Sequence, residues 1–74
     1  MTTRYRIILT GDQSTLLANR LADSVEGRVI SMEKDYDGRN HARTLVELPD
    51  ENVGRLAEMC DGDETVVEHG KQIG

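Results

Sequence analysis

The chain has 74 residues, a net charge of −5 and 36% hydrophobic residues, which suits one small folded domain with a thin core. The negative charge weighs against nonspecific binding to nucleic acid or to an anionic membrane. No stretch has the length and apolarity of a membrane span or the pattern of a secretory signal. Cys60 is the single cysteine, so an intrachain disulfide is excluded and we expect a cytoplasmic protein.

The first two predicted elements are a strand over residues 4–9 and a helix over residues 13–25. Alternation in the strand assigns one face to the core, with Tyr5, Ile7 and Leu9, and leaves Arg4, Arg6 and Ile8 on the other. The helix has one apolar face with three- and four-residue spacing, formed by Leu17, Ala18, Leu21, Ala22 and Val25. Gly27 follows this pattern, at a position where a left-handed cap is common.

Residues 28–34 and 42–48 are predicted to form a hairpin of two strands around Asp37-Gly38. A two-residue turn would place Arg43 on the same face as Ile30 and Met32. A three-residue loop with Gly38 at positive φ keeps that face apolar or small, so we predict this loop. The resulting register pairs Ile30 with Thr44 and Met32 with Ala42.

Pro49 is predicted to open a second helix, with Asp50 and Glu51 in its first turn. The buried stripe of this helix consists of Val53, Leu56, Ala57 and Cys60. A last strand is predicted over residues 65–69, and residues 70–74 are expected to form a frayed tail. The order βαββαβ predicts a single α+β domain over residues 1–74, a ferredoxin-like two-layer sandwich with both helices on one face of a four-stranded antiparallel sheet.

The segment "TGDQST" joins the first strand to the first helix and is the first candidate site. It has one glycine and no lysine, so it lacks the composition of a phosphate-binding loop. We predict that Gly11 makes the bend and that Asp12 caps the helix by accepting from the N–H of Ser14 or Thr15. If this junction binds a ligand as well, the same four residues would form the site.

The remaining polar residues indicate no catalytic or metal chemistry. The segments "DYDGRN" and "DGDE" lack the spacing of a calcium loop, and His41, His69 and Cys60 lack the spacing of a zinc site. Cys60 is in phase with the buried stripe, which favours a packing role. We therefore expect no metal, no cofactor and no enzymatic activity.

The uncovered face of the sheet is the second candidate site. Its aliphatic residues are predicted to be Ile8, Val29, Leu45 and Val66, beside Arg4, Arg6 and Arg43. These aliphatics either form a contiguous patch for a partner or homodimer, or are covered by the stems of charged side chains. Glu33, Glu47 and Glu68 share the face and should largely cancel its positive charge, which weighs against nucleic-acid binding.

The element order and the first junction resemble ACT domains, which are small regulatory modules. Asp12, Leu17 and Ala18 match the Asp-x-x-Gly-x-Leu-Ala pattern of that family, and Thr15 stands where the family has Gly. The resemblance implies a βαββαβ fold and an amino-acid effector near Gly11–Thr15, and Thr15 adds bulk where such a ligand would approach.

These observations favour a non-enzymatic regulatory or interaction module that acts by self-association or by binding a partner protein. One alternative is a module that binds a small-molecule effector at the first junction. A second alternative is an acidic inhibitor that competes with nucleic acid for a basic partner. The mass in solution discriminates between them, since a dimer through the open face supports the first.

Overall fold

The computed structural model describes residues 1–35 and 37–72. These described residues form four strands, two α-helices and a short 3₁₀ turn: β1 (Thr2–Thr10), α1 (Ser14–Ser24), β2 (Arg28–Lys34), β3 (His41–Pro49), the 3₁₀ turn (Asp50–Asn52), α2 (Val53–Asp61) and β4 (Val66–Lys71). The strands form one antiparallel sheet in the order β2-β3-β1-β4. Both helices contribute to one core cluster on one face of this sheet. The predicted ferredoxin-like sandwich is therefore confirmed.

The core lies between the helices and the central strands β1 and β3. Tyr5, Ile7 and Leu9 of β1 face the helices and are buried in the core, as predicted. On β3 the buried residues are Ala42, Thr44, Val46 and Leu48. The predicted helix stripes also meet the core: Ala18, Leu21, Ala22, Val25, Leu56 and Cys60 are buried, and Leu17, Val53 and Ala57 pack against them.

The β2–β3 pairing differs from the predicted register. Val29 pairs with Val46, Ser31 pairs with Leu45, and the register shifts between the two pairs at Ile30. This bulge turns Val29 toward the core, while Met32 also packs there. A bulge lets two residues of opposite parity face the same side. The predicted pairing of Ile30 with Thr44 and the placement of Val29 on the open face were both wrong.

The hairpin connection is longer than the predicted three-residue loop. β2 ends at Lys34 and β3 begins at His41, so residues 35–40 lie between the strands. Gly38 has a φ of 72°, which confirms the predicted left-handed conformation. Asp35 and Asn40 also have positive φ, at 52° and 59°.

The edge strand β4 has a bulge of its own. Leu9 pairs with Val66 and Ile8 pairs with Glu68, so Val67 is the extra residue. Val66 therefore packs against the core, which corrects its predicted place on the open face, and Val67 is 52% exposed. The strand continues through Lys71 beyond the predicted end at residue 69. Of the predicted frayed tail, residues 73–74 lie outside the described residues.

Two predictions about element ends were wrong. The N-cap of α1 is Gln13, and no side-chain hydrogen bond caps this helix, so Asp12 does not have the predicted role. At the other end, Glu26 has the positive φ of 59°, while Gly27 allows a close approach to β3. Pro49 ends β3 and directly precedes the second helical segment, with Asp50 and Glu51 in its first turn as predicted, although this first turn is 3₁₀ and α2 itself begins at Val53.

Candidate functional site

The open sheet face, meaning the side of the sheet opposite the helices, is covered by ion pairs. Arg6 and Glu68 approach to 2.9 Å, and Arg28 and Glu47 to 3.1 Å. Further pairs on this face are Arg4–Glu47, at 3.9 Å, and Arg43–Glu33. The expected cancellation of charge on this face is confirmed, because each of these arginines has a glutamate beside it.

The predicted aliphatic patch is not assembled on this face. Ile8 is only 3% exposed, although it points away from the helices. Its neighbours on the two flanking strands are Arg43 and Glu68, and the long stems of such side chains can cover an aliphatic residue. Leu45 is partly exposed. Ile30 lines a hollow on the same face beside Leu45, and it was not predicted there.

The first junction forms a polar cleft with the β2–β3 hairpin. The cleft has a volume of about 160 Å³ and is lined by Gly11, Asp12, Ser14, Lys34, Asp35, Asn40, His41 and Ala42. Gly11 makes the predicted bend with a φ of 98°. Asp12 lies 3.5 Å from the amide nitrogen of the Asn40 side chain, instead of capping α1. No local sequence pattern indicates that the hairpin takes part in this cleft, because the two segments are far apart in the chain.

The first turn of α1, of which Ser14 lines this cleft, has backbone N–H groups without acceptors. The first backbone bond of the helix runs from the Leu17 N–H to the Gln13 carbonyl. Within the described part of the chain, the N–H groups of Ser14, Thr15 and Leu16 therefore lack acceptors, as expected of an uncapped helix. The Ser14 residue is only 6% exposed and its hydroxyl has no partner among the described residues. Thr15 is exposed, and its hydroxyl donates to the Met32 sulfur.

The hairpin wall of the cleft is fixed by short-range polar contacts. Asp37 accepts from the Arg39 N–H and lies 2.8 Å from His41 Nδ1. Desolvation raises the pKa of Asp37, but these hydrogen bonds outweigh it, so its pKa lies below the usual value. The Asp35 side chain accepts from the Asn40 N–H at 2.9 Å. Asp37 therefore remains a carboxylate near His41 at neutral pH.

A second polar cluster lies on the helix side of the sheet, where the β4 register brings His69 beside Ile7. Tyr5 Oη lies 2.6 Å from His69 Nδ1, and His69 Nε2 lies 2.6 Å from Asp61. Burial, followed by the nearby Cys60 and Asp61, raises the pKa of Tyr5. In a neutral imidazole, Tyr5 O–H donates to Nδ1 and Nε2–H donates to Asp61. This cluster joins β1, β4 and the end of α2.

Cys60 lies beside this cluster and is 2% exposed. Burial, with smaller effects from Asp61 and Asp63, raises the pKa of its thiol to about 11. At neutral pH the thiol is therefore protonated and has no nucleophilic thiolate. In residues 1–35 and 37–72, no three His, Cys, Asp or Glu side chains come together in a way that could hold a metal ion. No helix in the same ranges is both long and apolar enough to span a membrane.

No protein-family model matches this sequence, and the comparison with curated proteins gives no match. The likeness to ACT domains therefore consists of the ferredoxin-like fold, which the structure shares, and the short pattern from Asp12 to Ala18.

Proposed function

We propose that this domain is a non-enzymatic interaction module that associates with a second copy of itself through the open sheet face. The observation that supports this proposal is the mixed charge of that face, where Arg4, Arg6, Arg28 and Arg43 lie among Glu33, Glu47 and Glu68. A two-fold interface brings the same patch together from both copies. A face with both charges is complementary to itself, because each arginine can meet a glutamate of the partner.

The energetics of these ion pairs are compatible with such an exchange. The Arg6 and Glu68 side chains are 44% and 64% exposed, and Arg28 is 74% exposed. Exposed pairs contribute only about 0–1 kcal/mol each to stability. Exchanging a partner within the chain for one across an interface therefore requires little free energy. Leu45 supplies a partly exposed apolar residue among the charges.

The domain is also large enough to form a dimer interface through this face. The chain measures 34 × 26 × 16 Å, and a standard interface buries about 800 Å² on each partner. The broad side of a two-layer sandwich of this size is of that order. An interface using most of the open face would therefore reach the size of a specific complex.

The test is sedimentation velocity on the wild-type chain and on two matched variants. Leu45→Arg places a charge on the open face, whereas Leu16→Arg places one at a 51% exposed leucine on α1. We expect a dimer for the wild type and for Leu16→Arg, and a folded monomer for Leu45→Arg. A wild-type monomer at high protein concentration contradicts the proposal and favours the acidic inhibitor instead. Unfolding of Leu45→Arg calls for Leu45→Gln, which should also weaken the dimer.

A second candidate function is binding of a small zwitterionic effector, such as an amino acid, in the cleft at the first junction. The open N–H groups at Ser14–Leu16 and the unpartnered Ser14 hydroxyl favour it, because a helix N-terminus attracts a carboxylate. Asp12 and Asp35 supply negative charge for an ammonium group. The volume is below the about 300 Å³ of typical ligand pockets, so only a small ligand fits.

Titration with the common amino acids, followed by amide NMR shifts, tests this second candidate. Saturable shifts at Gly11–Thr15 and at Asn40 are expected for a ligand that fits. Asp12→Asn should weaken that binding, while Asp23→Asn at the far end of α1 should leave it unchanged. If no amino acid produces saturable shifts, the junction is only a corner between β1 and α1.

A further inference from the structure

The charge of this domain is divided unequally between its two layers. The helical segments, residues 11–27 and 50–65, contain nine of the 14 acidic residues and two of the nine basic residues, which gives them a formal charge of −7. The rest of the chain contains five acidic and seven basic residues and has a formal charge of +2. The net negative charge of the chain therefore belongs to the helix side of the sandwich.

The carboxylates of the helix side are also less neutralised than those of the open sheet face. In residues 1–35 and 37–72, Asp61 is the only acidic side chain of the two helical segments that forms an ion pair, and its partner is His69. On the open face, each paired glutamate has an arginine beside it. The helix side therefore presents a negative potential that attracts a cationic partner.

A groove between α1 and α2 lies within this acidic layer. Its volume is about 420 Å³. Leu17 and Leu21 of α1 and Met59 of α2 supply its apolar lining, and all three belong to or pack against the core cluster. Leu17 and Met59 are partly exposed, so the groove presents apolar surface to solvent. Met59 lies outside the predicted stripe of α2, and this groove was not predicted.

The polar lining of the groove has more negative than positive charge. Glu58 and Asp63 contribute two carboxylates, and Arg20 contributes one guanidinium. Glu58 is exposed and has no ion-pair partner among the described residues. Hydrogen bonds from the Thr65 hydroxyl and N–H lower the pKa of Asp63, so it is a carboxylate at neutral pH. An occupant of the groove therefore meets apolar side chains beside an excess of carboxylates.

The helical walls of the groove favour a helical occupant. The backbone N–H and C=O groups inside α1 and α2 are bonded within each helix, so an extended segment would find few partners for its own backbone groups. A helix satisfies its own backbone and presents only side chains to such a groove. Leu17 and Leu21 lie about 6 Å apart along α1, which matches the spacing of apolar residues on one face of a partner helix.

We infer that this groove binds an amphipathic helix of a basic partner protein, whose apolar face packs on Leu17, Leu21 and Met59 and whose lysines or arginines lie beside Glu58 and Asp63. A methionine in the floor can adapt to apolar side chains of different shape. The groove and the open sheet face lie on opposite sides of the sandwich, so the inference does not depend on self-association. A monomer that binds such a helix supports the inference and contradicts the proposed dimer.

The probe is a synthetic peptide of about 18 residues, which is long enough to form a helix in isolation, built from alanine and lysine with leucines on one face. Titrated into the full chain and followed by calorimetry and amide NMR, it should give saturable shifts at Leu17, Leu21, Met59 and Gly62. One control peptide has glutamate in place of lysine, and the other has the leucines dispersed around the helix. Neither control should bind. Equal binding of either control, or no binding of the probe, overturns the inference.

Three variants with exposed substitution sites locate the binding. At about 0.15 M salt, where charges more than about 8 Å apart are largely screened, Glu58→Gln should weaken peptide binding about threefold. Glu51→Gln removes the same charge about 10 Å away along the same segment and should leave the affinity unchanged. Arg20→Gln should strengthen binding, because it removes the cation of the groove. Equal effects of Glu58→Gln and Glu51→Gln would show that only the general charge of the helix side matters, which contradicts the inference.

Sedimentation velocity with the probe peptide present tests whether a second copy of the chain occupies the groove instead. A wild-type dimer formed through the open sheet face should persist when the peptide binds on the opposite side. Dissociation of the dimer by the peptide would assign the groove to a second copy of this chain and would contradict the inference.

Discussion

The central strands and the edge strands of this sheet follow different rules. β1 and β3 pair without a register shift, and alternate residues of each, from Tyr5 in β1 and from Ala42 in β3, are buried on the side of the helices. β2 and β4 each contain a bulge, at Ile30 and at Val67. At each bulge the odd- and even-numbered residues exchange the faces of the sheet on which they lie. A central strand is held by two ladders, whereas an edge strand has only one and can absorb an extra residue. The residue that faces the core is therefore decided locally in the middle of the sheet and by packing at its edges.

The largest expected effect tests the contact between the start of β2 and central β3. A Cβ at Gly27 would lie 2.8 Å from the Glu47 carbonyl oxygen and 3.0 Å from Leu48 Cβ. Gly27→Ala should therefore destabilise the domain by about 3 kcal/mol, since neither neighbour is a flexible side-chain end. Urea unfolding measures the change. Gly54→Ala in α2, where a Cβ meets nothing, is the control and should be stabilising; equal stability of both variants would show that β2 can move away from β3.

The bulge in β4 is tested by two adjacent valines. Val66 packs against the core and Val67 is 52% exposed. Val66→Asp should lower the free energy of unfolding by about 2 kcal/mol, because it places a charge against apolar residues. Val67→Asp should change it by less than about 0.5 kcal/mol. The reverse order in thermal or urea unfolding would mean that β4 pairs without a bulge.

The turn that links edge β2 to central β3 is tested at Gly38. Its φ of 72° is sterically unfavourable for a β-branched residue, so Gly38→Val should destabilise the domain by about 1–2 kcal/mol. Gly38→Asn should have a smaller effect, since asparagine tolerates this conformation. Differential scanning calorimetry compares the two. An unchanged melting temperature in Gly38→Val would show that the stability of the domain does not depend on the positive φ of Gly38.

One substitution in central β3 is expected to stabilise the domain. Thr44 is fully buried, and its hydroxyl has no hydrogen-bond partner among the described residues. Thr44→Val replaces this hydroxyl by a methyl group of similar size, so we expect a gain of about 1 kcal/mol. Thr65→Val is the contrasting change, because the Thr65 hydroxyl donates to Asp63 at 2.6 Å. A loss of stability in Thr44→Val would indicate a hidden partner for its hydroxyl.

The smallest effect concerns the turn before β4. Hydrogen bonds from the Thr65 hydroxyl and N–H lower the pKa of Asp63 below its usual 3.8. Between the two pKa values the unfolded state binds more protons, so this contribution is present above the unfolded value and is lost as the pH falls through the folded one. The free energy of unfolding should therefore decrease as the pH is lowered from about 5 to about 2. Asp63→Asn should reduce the slope but not remove it, since Asp37 shifts in the same direction; an unchanged slope would contradict this role.

The sequence by itself predicted the order of the elements, because hydrophobic periodicity and turn residues are local signals. It placed β2 at residues 28–34, as observed, and it assigned Tyr5, Ile7 and Leu9 to the core. It also predicted the positive φ of Gly38 and the buried stripe of α2. In each case the relevant partners lie on the same element or the next one, or alternation alone decides the face.

Only the tertiary structure decided the faces of the edge strands and the shape of the two candidate sites. The bulges depend on how Val29 and Val66 meet a core built by distant segments. The Asp12 side chain meets Asn40 instead of capping its own helix, and Gly70 lies beside Arg6 through a ladder that joins the two ends of the chain. Local patterns do not contain these distances, because a side chain's best partner depends on which other segments the fold brings within reach.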